Sequence, residues 1–523
     1  MTLLGMSTSG GDGANNNDEE AASVSGPKED CLEKEESSDS PSVAETLSLP
    51  REILFVAIVC TAQLFTQSAL GQVISIIEVV GEHYHITNPT ALAWFIAGYS
   101  LTVGTFILFS GRLGDVFGYK TMFLIGMAWF SLWSMVCGLA VYSNHVLFTF
   151  ARVLQGIGPA IVLPNGLAIF GASYKPGRRK NMVFAIFGAT APGGSILGSL
   201  FSALFALAWW PWTFWTLSLV LGVVVVLGYY AIPPCPPADR AERPRGFTDT
   251  MRAVDAFGTV LGVTGLVLVN VAWNQAPIVG WEYAYVYVLL ILGVLFLAAF
   301  FLYEIRYADA PLIDIGSLSS DVSFVLAAVA CGWATFGIWF FYTWQFLLTI
   351  RHETPLLATA MTAPVAISGA AAAVFTGALL HRLGAPVIMT ASLAAFTVGI
   401  VLMATCPVDQ IYWAQTFVSI VIMPWGMDMS FPASTLILSN SVPRKNQGIA
   451  ASLVNTVINY SISLGLGFAG TVEVYVNDGG RDVLRGYRGA FYFGIGLSVM
   501  GICVCLAYLW RQRRRPGKER AES

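Results

Sequence analysis

Charged residues are scarce in this sequence of 523 residues: only 11% are Asp, Glu, Lys or Arg, whereas 55% are hydrophobic. A soluble domain usually carries about 25% charged residues. The deficit argues against an ordinary soluble domain and indicates a membrane protein. The net charge of −4 is accompanied by no basic stripe, so the sequence favours no nucleic-acid partner.

Signatures of catalytic and cofactor sites are also missing. The sequence contains no Gly-rich nucleotide-binding loop, no HExxH motif and no CxxC pair. These absences argue against an enzyme, a bound metal or cofactor, and an ATP-driven pump. The histidines are few and fall in predicted loops or at the ends of apolar runs: His83, His85, His145, His352 and His381.

What the sequence does contain is a series of fourteen long apolar runs. A membrane-spanning helix needs about 20 mostly apolar residues, and a compact helical bundle satisfies the backbone polar groups of so many segments in lipid. The sequence therefore predicts an all-α integral membrane protein with fourteen transmembrane spans. Spans 1 to 14 are predicted at 53–77, 91–110, 121–141, 146–166, 182–206, 212–232, 256–274, 283–303, 322–344, 355–380, 386–405, 411–432, 448–470 and 488–510.

The distribution of lysine and arginine predicts the orientation of these spans. With the N-terminus in the cytoplasm, 23 of the 28 basic residues fall on the cytoplasmic side, as the positive-inside rule requires. Both termini are therefore expected in the cytoplasm. Residues 1–50 are acidic and Ser-rich and are expected to form a disordered tail, and residues 511–523 form a basic tail.

Two short patterns recur eight spans apart and predict an internal repeat. Arg-Leu-Gly occurs at 112–114 and again at 382–384, and the basic segment 173–185 is similar to 440–452. Spans 1–6 therefore correspond to spans 9–14, with spans 7 and 8 as an insertion. Two parallel six-helix halves are the architecture of a transporter that rocks around a central site.

The repeat gives a domain organisation. The N-terminal half is predicted at 51–232 and the C-terminal half at 321–510, on either side of a Pro- and Arg-rich cytoplasmic linker at 233–255 and the two inserted helices at 256–320.

Three motifs carry a resemblance to a known family. They are "GRLGDVFGYK" between spans 2 and 3, "RVLQGIG" in span 4 and "GATAPGGSILG" in span 5. With them the chain resembles the major facilitator superfamily, and within it the fourteen-span drug:proton antiporters of fungi. The subgroup of aminotriazole- and boron-resistance exporters and a low-affinity ammonium transporter is also similar, partly through "MPWGMDMSFPA" in span 12. The matching positions are Gly111, Arg112, Asp115, Gly118 and Lys120; Arg152, Gln155, Gly156 and Gly158; and Gly188, Pro192, Gly193, Gly194 and Gly198.

Two positions depart from the family's motifs. Val116 and Phe117 follow Asp115 where a basic residue is often found, and Ala191 stands before Pro192 where Gly is usual. The first departure weakens the cytoplasmic latch described next, and the second weakens the expectation of strict exchange.

The first motif is expected to form a ten-residue interhelix turn, in which glycine meets the steric demands of the tight backbone. The resemblance implies that Asp115 pairs with arginines of the other half and holds the outward-facing state. The alternative is a capped turn whose charges only set the topology, since a carboxylate also suits a helix N-terminus.

Asp428 is interpreted as the only carboxylate deep within a span. Desolvation disfavours the charged form of a carboxyl group, so Asp428 is the expected proton carrier. Trp425 lies three residues away and is expected on the same helical face, where it offers a cation–π contact to a cationic substrate. The alternative is a structural role for Asp428 with a polar partner. Glu78, at the outer end of span 1, is expected to be interfacial rather than a second carrier.

Arg152 is buried in span 4 and is expected to take part in proton coupling. Its guanidinium does not lose its proton at any useful pH, so its expected role is to act on a neighbouring acid or to hold a water and carboxylate network. The alternative is a structural hydrogen-bond hub to backbone carbonyls.

The glycines of the span 5 motif are expected to form a face that seals and flexes where spans 5 and 10 meet at the midline. The alternative is ordinary small-residue packing. Polar side chains within spans usually face the bundle interior, and each is either a ligand contact or a helix–helix link. The candidates are Gln63, Gln67, Gln72, Gln155, Asn165, Trp344, Gln345, Gln415, Trp425, Asn455 and Asn459.

The predicted function is proton-coupled export of a small molecule, such as a drug, toxin or fungal secondary metabolite, by alternating access. The alternative is a low-affinity ammonium or borate transporter or facilitator. A receptor is disfavoured, because receptors of the seven-span type lack fourteen spans and twin loop motifs. We expect a multi-pass monomer in the plasma membrane rather than the vacuolar membrane, whose partners are substrate, protons and lipid.

Overall fold

The computed structural model describes residues 47–86, 88–175, 177–233, 246–308, 311–312, 320–440 and 447–514. Within those ranges the chain is almost entirely helical, and no β-strand occurs there. Most of the predicted acidic tail (1–46), most of the linker (234–245) and most of the basic tail (515–523) lie outside the described residues. The domain boundaries placed there stay predictions.

The described residues form eighteen α-helices joined by short connections. They are α1 (Leu49–Ser75), α2 (Ile77–His83), α3 (Pro89–Phe117), α4 (Tyr119–Leu139), α5 (His145–Gln155), α6 (Ile157–Ser173), α7 (Arg178–Ala206), α8 (Trp212–Ala231), α9 (Phe247–Ala253), α10 (Ala256–Val279), α11 (Ala284–Arg306), α12 (Ser320–Gln345), α13 (Pro355–Thr362), α14 (Pro364–Leu383), α15 (Ala385–Ala404), α16 (Gln415–Asn440), α17 (Gln447–Val476) and α18 (Val483–Arg514).

Among the described helices and helix pairs, thirteen are long and apolar enough to cross a membrane. They correspond to every predicted span except span 12, and spans 4 and 10 each consist of two consecutive helices, α5–α6 and α13–α14. Span 12 is α16, which has 26 residues and packs on α12, α14 and α15 inside the bundle. Asp428 and two internal prolines, Pro424 and Pro432, lower its hydropathy. The prediction of an all-α membrane protein is confirmed.

The first motif is not a ten-residue turn, and that prediction is wrong. Helix α3 continues through Gly111 and Gly114 to Phe117, and α4 begins at Tyr119, so Gly118 alone separates the two helices. Gly118 has φ +93°, a conformation that favours glycine. Gly114 is needed for a different reason, because a Cβ there would collide with the side-chain oxygen of Asn165.

The internal repeat has a backbone counterpart at this junction. Gly118 adopts φ 93° and ψ 132° between spans 2 and 3, and Gly384 adopts φ 78° and ψ 151° between spans 10 and 11. Each glycine alone joins two membrane helices. The conformational equivalent of Gly384 is thus Gly118, although the sequence pattern pairs Gly384 with Gly114.

Each half packs mainly within itself. In the N-terminal half α1 lies on α7, α4 on α8 and α3 on α6; in the C-terminal half α15 lies on α16, α12 on α18 and α14 on α16. The halves meet mainly along two seams. One joins α3 to α17, and the inserted helix α10 packs against both; the other joins α7 to α13 and α14.

Candidate functional site

Asp428 lies where three helices of the two halves converge. On the facing helix α14, a Cβ added at Gly369 would lie 2.8 Å from Oδ2 of Asp428 and 3.2 Å from Cβ and Cγ of Pro192 in α7. A glycine is therefore the residue that lets α7, α14 and α16 approach at this point. The half-buried Asp428 carboxylate thus reaches the seam between the halves, beside the proline of the span 5 motif.

Trp425 faces the same helix as Asp428. Its Nε1 donates a hydrogen bond to Ser368 Oγ at 3.1 Å, and its ring centre lies 5.2 Å from that of Phe375 in an edge-on arrangement. Ser368, Gly369 and Phe375 all belong to α14. Both side chains therefore lie on the α14-facing side of α16, the shared face that their three-residue spacing predicts. The result is a carboxylate with aromatic neighbours at the seam.

Two glycines of the span 5 motif, Gly194 and Gly198, close a contact within the N-terminal half rather than at that seam. A Cβ at Gly194 would collide with the carbonyl oxygen of Leu64, and one at Gly198 with the carbonyl oxygen of Ser68. Both carbonyls belong to α1, so these glycines close the contact between α1 and α7 within the N-terminal half. Gly188 and Gly193 have no atom within 4 Å of an added Cβ, so neither closes a tight helix contact, and Pro192 is the motif residue that lies beside Gly369.

Hydrogen bonds reinforce this close contact between α1 and α7. Ser68 Oγ donates to the carbonyl oxygen of Gly194 at 2.8 Å, and Ser199 Oγ donates to that of Gly71 at 2.9 Å. The predicted meeting of spans 5 and 10 does occur, through α7 with α13 and α14. The sequence could not show which face of α7 meets which neighbour, because small residues pack well on either side.

Arg152 is a hub for backbone carbonyls inside the N-terminal half. It is fully buried, and it donates from Nε to the carbonyl oxygen of Phe95 at 3.0 Å and from Nη2 to that of Ala69 at 3.1 Å. Nη1 bonds Gln155 Oε1, and the guanidinium carbon lies 4.6 Å from the ring centre of Tyr99. No carboxylate pairs with Arg152 among the described residues. These contacts match the structural alternative, and a part for Arg152 in proton coupling stays a prediction.

In the first motif, the described contacts of Asp115 are local. Asp115 Oδ1 accepts a hydrogen bond from Tyr119 at 2.8 Å, and no described ion pair includes Asp115. Arg112 instead reaches across the molecule and donates to the carbonyl oxygen of Pro311 at 2.7 Å, between α11 and α12. Two basic residues of the C-terminal half on the predicted cytoplasmic side, at 444–445, lie outside the described residues, so the latch stays a prediction.

Lys120 holds the start of α4 to the end of α8. Its Nζ donates to the carbonyl oxygens of Tyr229 at 2.8 Å and Ile232 at 2.6 Å. The carbonyls at a helix C-terminus carry partial negative charge and attract a cation. Lys120 thus stabilises packing within the N-terminal half.

Several predicted cavity residues turn out to link helices. Gln72 donates to the carbonyl oxygen of Thr213 in α8 at 3.4 Å, and Asn165 to that of Ser110 in α3 at 3.3 Å. Gln155 joins Arg152 to Ser134, whose Oγ lies 2.7 Å from Gln155 Nε2. These residues serve the packing of the N-terminal half.

The other cavity candidates lie at a helix end, fully buried within a helix, or half-buried. Gln415 is the first residue of α16 and donates to Thr405 Oγ1 at 3.0 Å, so it lies at the end of the span. Trp344 and Gln345 are buried in α12, 3% and 0% exposed. The half-buried polar candidates are Gln63, Gln67, Asn455 and Asn459.

One buried acid was missed by the sequence argument. Glu473 is only 1% exposed, and its Oε2 accepts a hydrogen bond from Tyr342 at 2.7 Å. Glu473 lies three residues from the end of α17, whereas Asp428 lies in the middle of α16. The interpretation of Asp428 as the only carboxylate deep within a span therefore stays a prediction. The apolar run ends at 470, but α17 continues to Val476 before Gly479 and Gly480 adopt positive φ. The glycine pair was the signal that could have placed the helix end correctly.

Comparison with known proteins agrees with this architecture. The family model described as Major Facilitator Superfamily matches residues 55–466 and 324–523. The "Low affinity ammonium transporter" of Saccharomyces cerevisiae is 54% identical over 464 residues, covering 88% of this chain and 89% of that protein. "Efflux pump terJ" of Aspergillus terreus is 47% identical over 510 residues, covering 97% and 98%. The solved structure of the POT family transporter PepTSo aligns with a TM-score of 0.61 at 15% identity, covering 90% of this chain and 100% of that one.

Proposed function

The chain belongs to the Major Facilitator Superfamily, a family of transporters rather than enzymes, and on that basis we propose that it exports a small organic molecule in exchange for protons. The observation that carries the proposal is the position of Asp428 at the seam between the halves, next to Gly369 and Pro192. A single carboxylate there is accessible in turn to either side as the halves rock, and binds a proton and a substrate in alternation.

The surroundings of Asp428 favour a cationic or amphipathic substrate. Trp425 lies within one helix turn of Asp428 along α16 and packs edge-on against Phe375, and aromatic faces attract cations. Curated relatives named as efflux pumps or as a multidrug transporter are 47%, 42% and 41% identical to the chain. These relatives support a drug, toxin or secondary metabolite as the transported substrate.

A second candidate is low-affinity transport of ammonium, or of borate as a related small solute. The observation that favours ammonium is the 54% identity to a protein named as a low affinity ammonium transporter. Asp428 would serve a small cation as well as an organic one. Export in exchange for protons is driven by an imposed proton gradient, whereas facilitated transport of ammonium or borate needs none.

The experiment uses purified protein in liposomes that contain a pH-sensitive dye and are placed under a proton gradient. A panel of organic cations and neutral compounds is added, and protein-free liposomes correct for ammonia leakage. Discharge of the gradient by organic compounds supports antiport. Equilibration of labelled ammonium or borate with no discharge by any compound would instead establish a facilitator.

We place the protein as a multi-pass monomer in the plasma membrane, with both termini in the cytoplasm. The excess of basic residues on one side of the bundle supports the orientation. Protease cleavage at the basic C-terminal tail, compared between intact and permeabilised cells, tests this orientation. Cleavage in intact cells would show that the C-terminus lies outside the cell and would contradict the proposed topology.

A further inference from the structure

A second acid, Glu78, connects the two halves on the predicted outer side. It lies in the short helix α2, and its Oε1 is 3.3 Å from Thr349 Oγ1 of the C-terminal half. Thr349 belongs to a π-helical turn, Phe346–Ile350, that extends α12. Such turns are rare and often occur at functional sites. Glu78 is half-buried, so it is part of a contact between the halves rather than an interfacial side chain in water.

The hydrogen positions at Thr349 depend on the protonation of Glu78. Thr349 Oγ1 also lies 2.9 Å from Gln345 Oε1, and Gln345 is fully buried. A hydroxyl has one hydrogen to donate. When Glu78 is charged, Gln345 Oε1 and Glu78 Oε1 are both acceptors. Thr349 can then donate a hydrogen bond to only one of them. When Glu78 is protonated, it donates to Thr349 and Thr349 donates to Gln345, so both contacts are satisfied.

The groups around Glu78 do little to hold a negative charge. Burial raises the pKa of the Glu78 carboxyl group, and hydrogen bonding by Gln345 and Thr349 offsets only part of the rise, to which the charge of Glu82 adds. Tyr487 of α18 is within electrostatic range of both Glu78 and Glu473. No lysine or arginine pairs with Glu78 among the described residues. The charged form is thus stabilised by moving into water.

We propose that Glu78 is a second proton-binding site, and that an external proton bound there closes the contact between the halves on the outer side. The inference rests on the proposed alternating-access function, but it does not depend on Asp428 as the carrier. Deprotonation leaves a charge in a half-buried contact and takes the Thr349 hydrogen away from Gln345, which favours separation. A proton from outside restores both hydrogen bonds and favours return to the closed state.

The test measures the outer opening directly as a function of pH. Spin-labelled amino acids are incorporated at Tyr142 in the N-terminal half and Ile411 in the C-terminal half, which are 72% and 70% exposed. Distances between the labels are measured by pulsed electron resonance on the protein in lipid nanodiscs. We expect the short-distance population to grow as the pH falls, because a raised pKa keeps the closed, protonated form until the pH rises through it.

Variants separate the proposal from its alternatives. Glu78→Gln keeps the shape of the protonated acid and should stay in the short-distance state at all pH values. Thr349→Val removes the hydroxyl and should stay in the long-distance state. Glu82→Gln, on the same helix but exposed, is the control and should keep the pH response. A full pH response in Glu78→Gln would overturn the proposal. The label distances of Asp428→Asn should match those of wild type at each pH. Failure of the proposal for Glu78 is therefore distinguishable from failure of the proposal that Asp428 carries the proton.

Discussion

The two seams between the halves differ in how they are held together. At the α3–α17 seam, Ser463 Oγ lies 2.8 Å from the carbonyl oxygen of Ala97, and the inserted helix α10 adds Asn274 Nδ2, which donates to the carbonyl oxygen of Ser463 at 3.2 Å. At the α7–α14 seam no side-chain hydrogen bond joins the helices among the described side chains, and Gly369 and Pro192 meet there. One seam is fixed by polar contacts, and the other is an apolar contact beside a carboxylate.

This difference indicates how the halves move. Hydrogen bonds between membrane helices each contribute about 0.6–2 kcal/mol, and α10 packs on both α3 and α17. The α3–α17 seam is therefore the expected pivot. The α7–α14 seam costs less to open, and Asp428 lies on it. The inserted helix α10, which the repeat does not require, thus adds to the difference between the two seams.

The largest expected effect on transport comes from a bulkier side chain at the α7–α14 seam. Gly369→Val places atoms where Asp428 and Pro192 already lie. Overpacking costs about 1–3 kcal/mol, and the cost falls on the state in which the seam is closed, so the transport rate should fall by about tenfold or more. Transport into liposomes measures it. Gly377→Ala on the same helix, where an added Cβ meets nothing within 4 Å, is the control and should transport normally.

The α3–α17 seam can act as a pivot only if each half moves as a rigid body, and Arg152 is part of the packing that keeps the N-terminal half rigid. Arg152→Met removes its hydrogen bonds to the carbonyls of Phe95 and Ala69. Hydrogen bonds to charged groups contribute about 1.5–3 kcal/mol each, so we expect the loss of two to lower the stability by about 3–6 kcal/mol, measured by thermal denaturation. The number of protons exchanged per substrate should not change.

A change in that proton number in Arg152→Met, with normal stability, would restore Arg152 to the coupling machinery. Arg485→Met is the matched control, because Arg485 is exposed at the start of α18. Exposed substitutions usually change stability by less than about 0.5 kcal/mol.

The smallest expected effect is at the pivot. Ser463→Ala removes the hydroxyl that lies within hydrogen-bond distance of Ala97 and Asn270. We expect a loss of about 1 kcal/mol of stability, measured by thermal denaturation, with proton coupling intact. Ser498→Ala removes a buried hydroxyl that bonds only the carbonyl of Ile495 in its own helix, and should cost less. Equal losses in the two variants would remove the distinction between the seams.

Local sequence patterns predicted much of this molecule, and contacts between distant segments limited the rest. Apolar runs located the helices, and the position of Asp428 within a span singled it out. The pattern of Gly111–Lys120 was misread, because glycine and charge are typical of turns but here serve close packing on Asn165 and contacts such as Arg112 with Pro311. The partners of Arg152 lie 57 and 83 residues away, and no local signal identifies them.

The central claim is that Asp428 carries the coupled proton, and Asp428→Asn tests it most directly. Two rates are compared in liposomes: substrate accumulation driven by a proton gradient, and exchange of labelled for unlabelled substrate without a gradient. We predict that Asp428→Asn loses the first and keeps the second, while Asp409→Asn, in an exposed loop, keeps both. Gradient-driven accumulation at the wild-type rate in Asp428→Asn would contradict the claim.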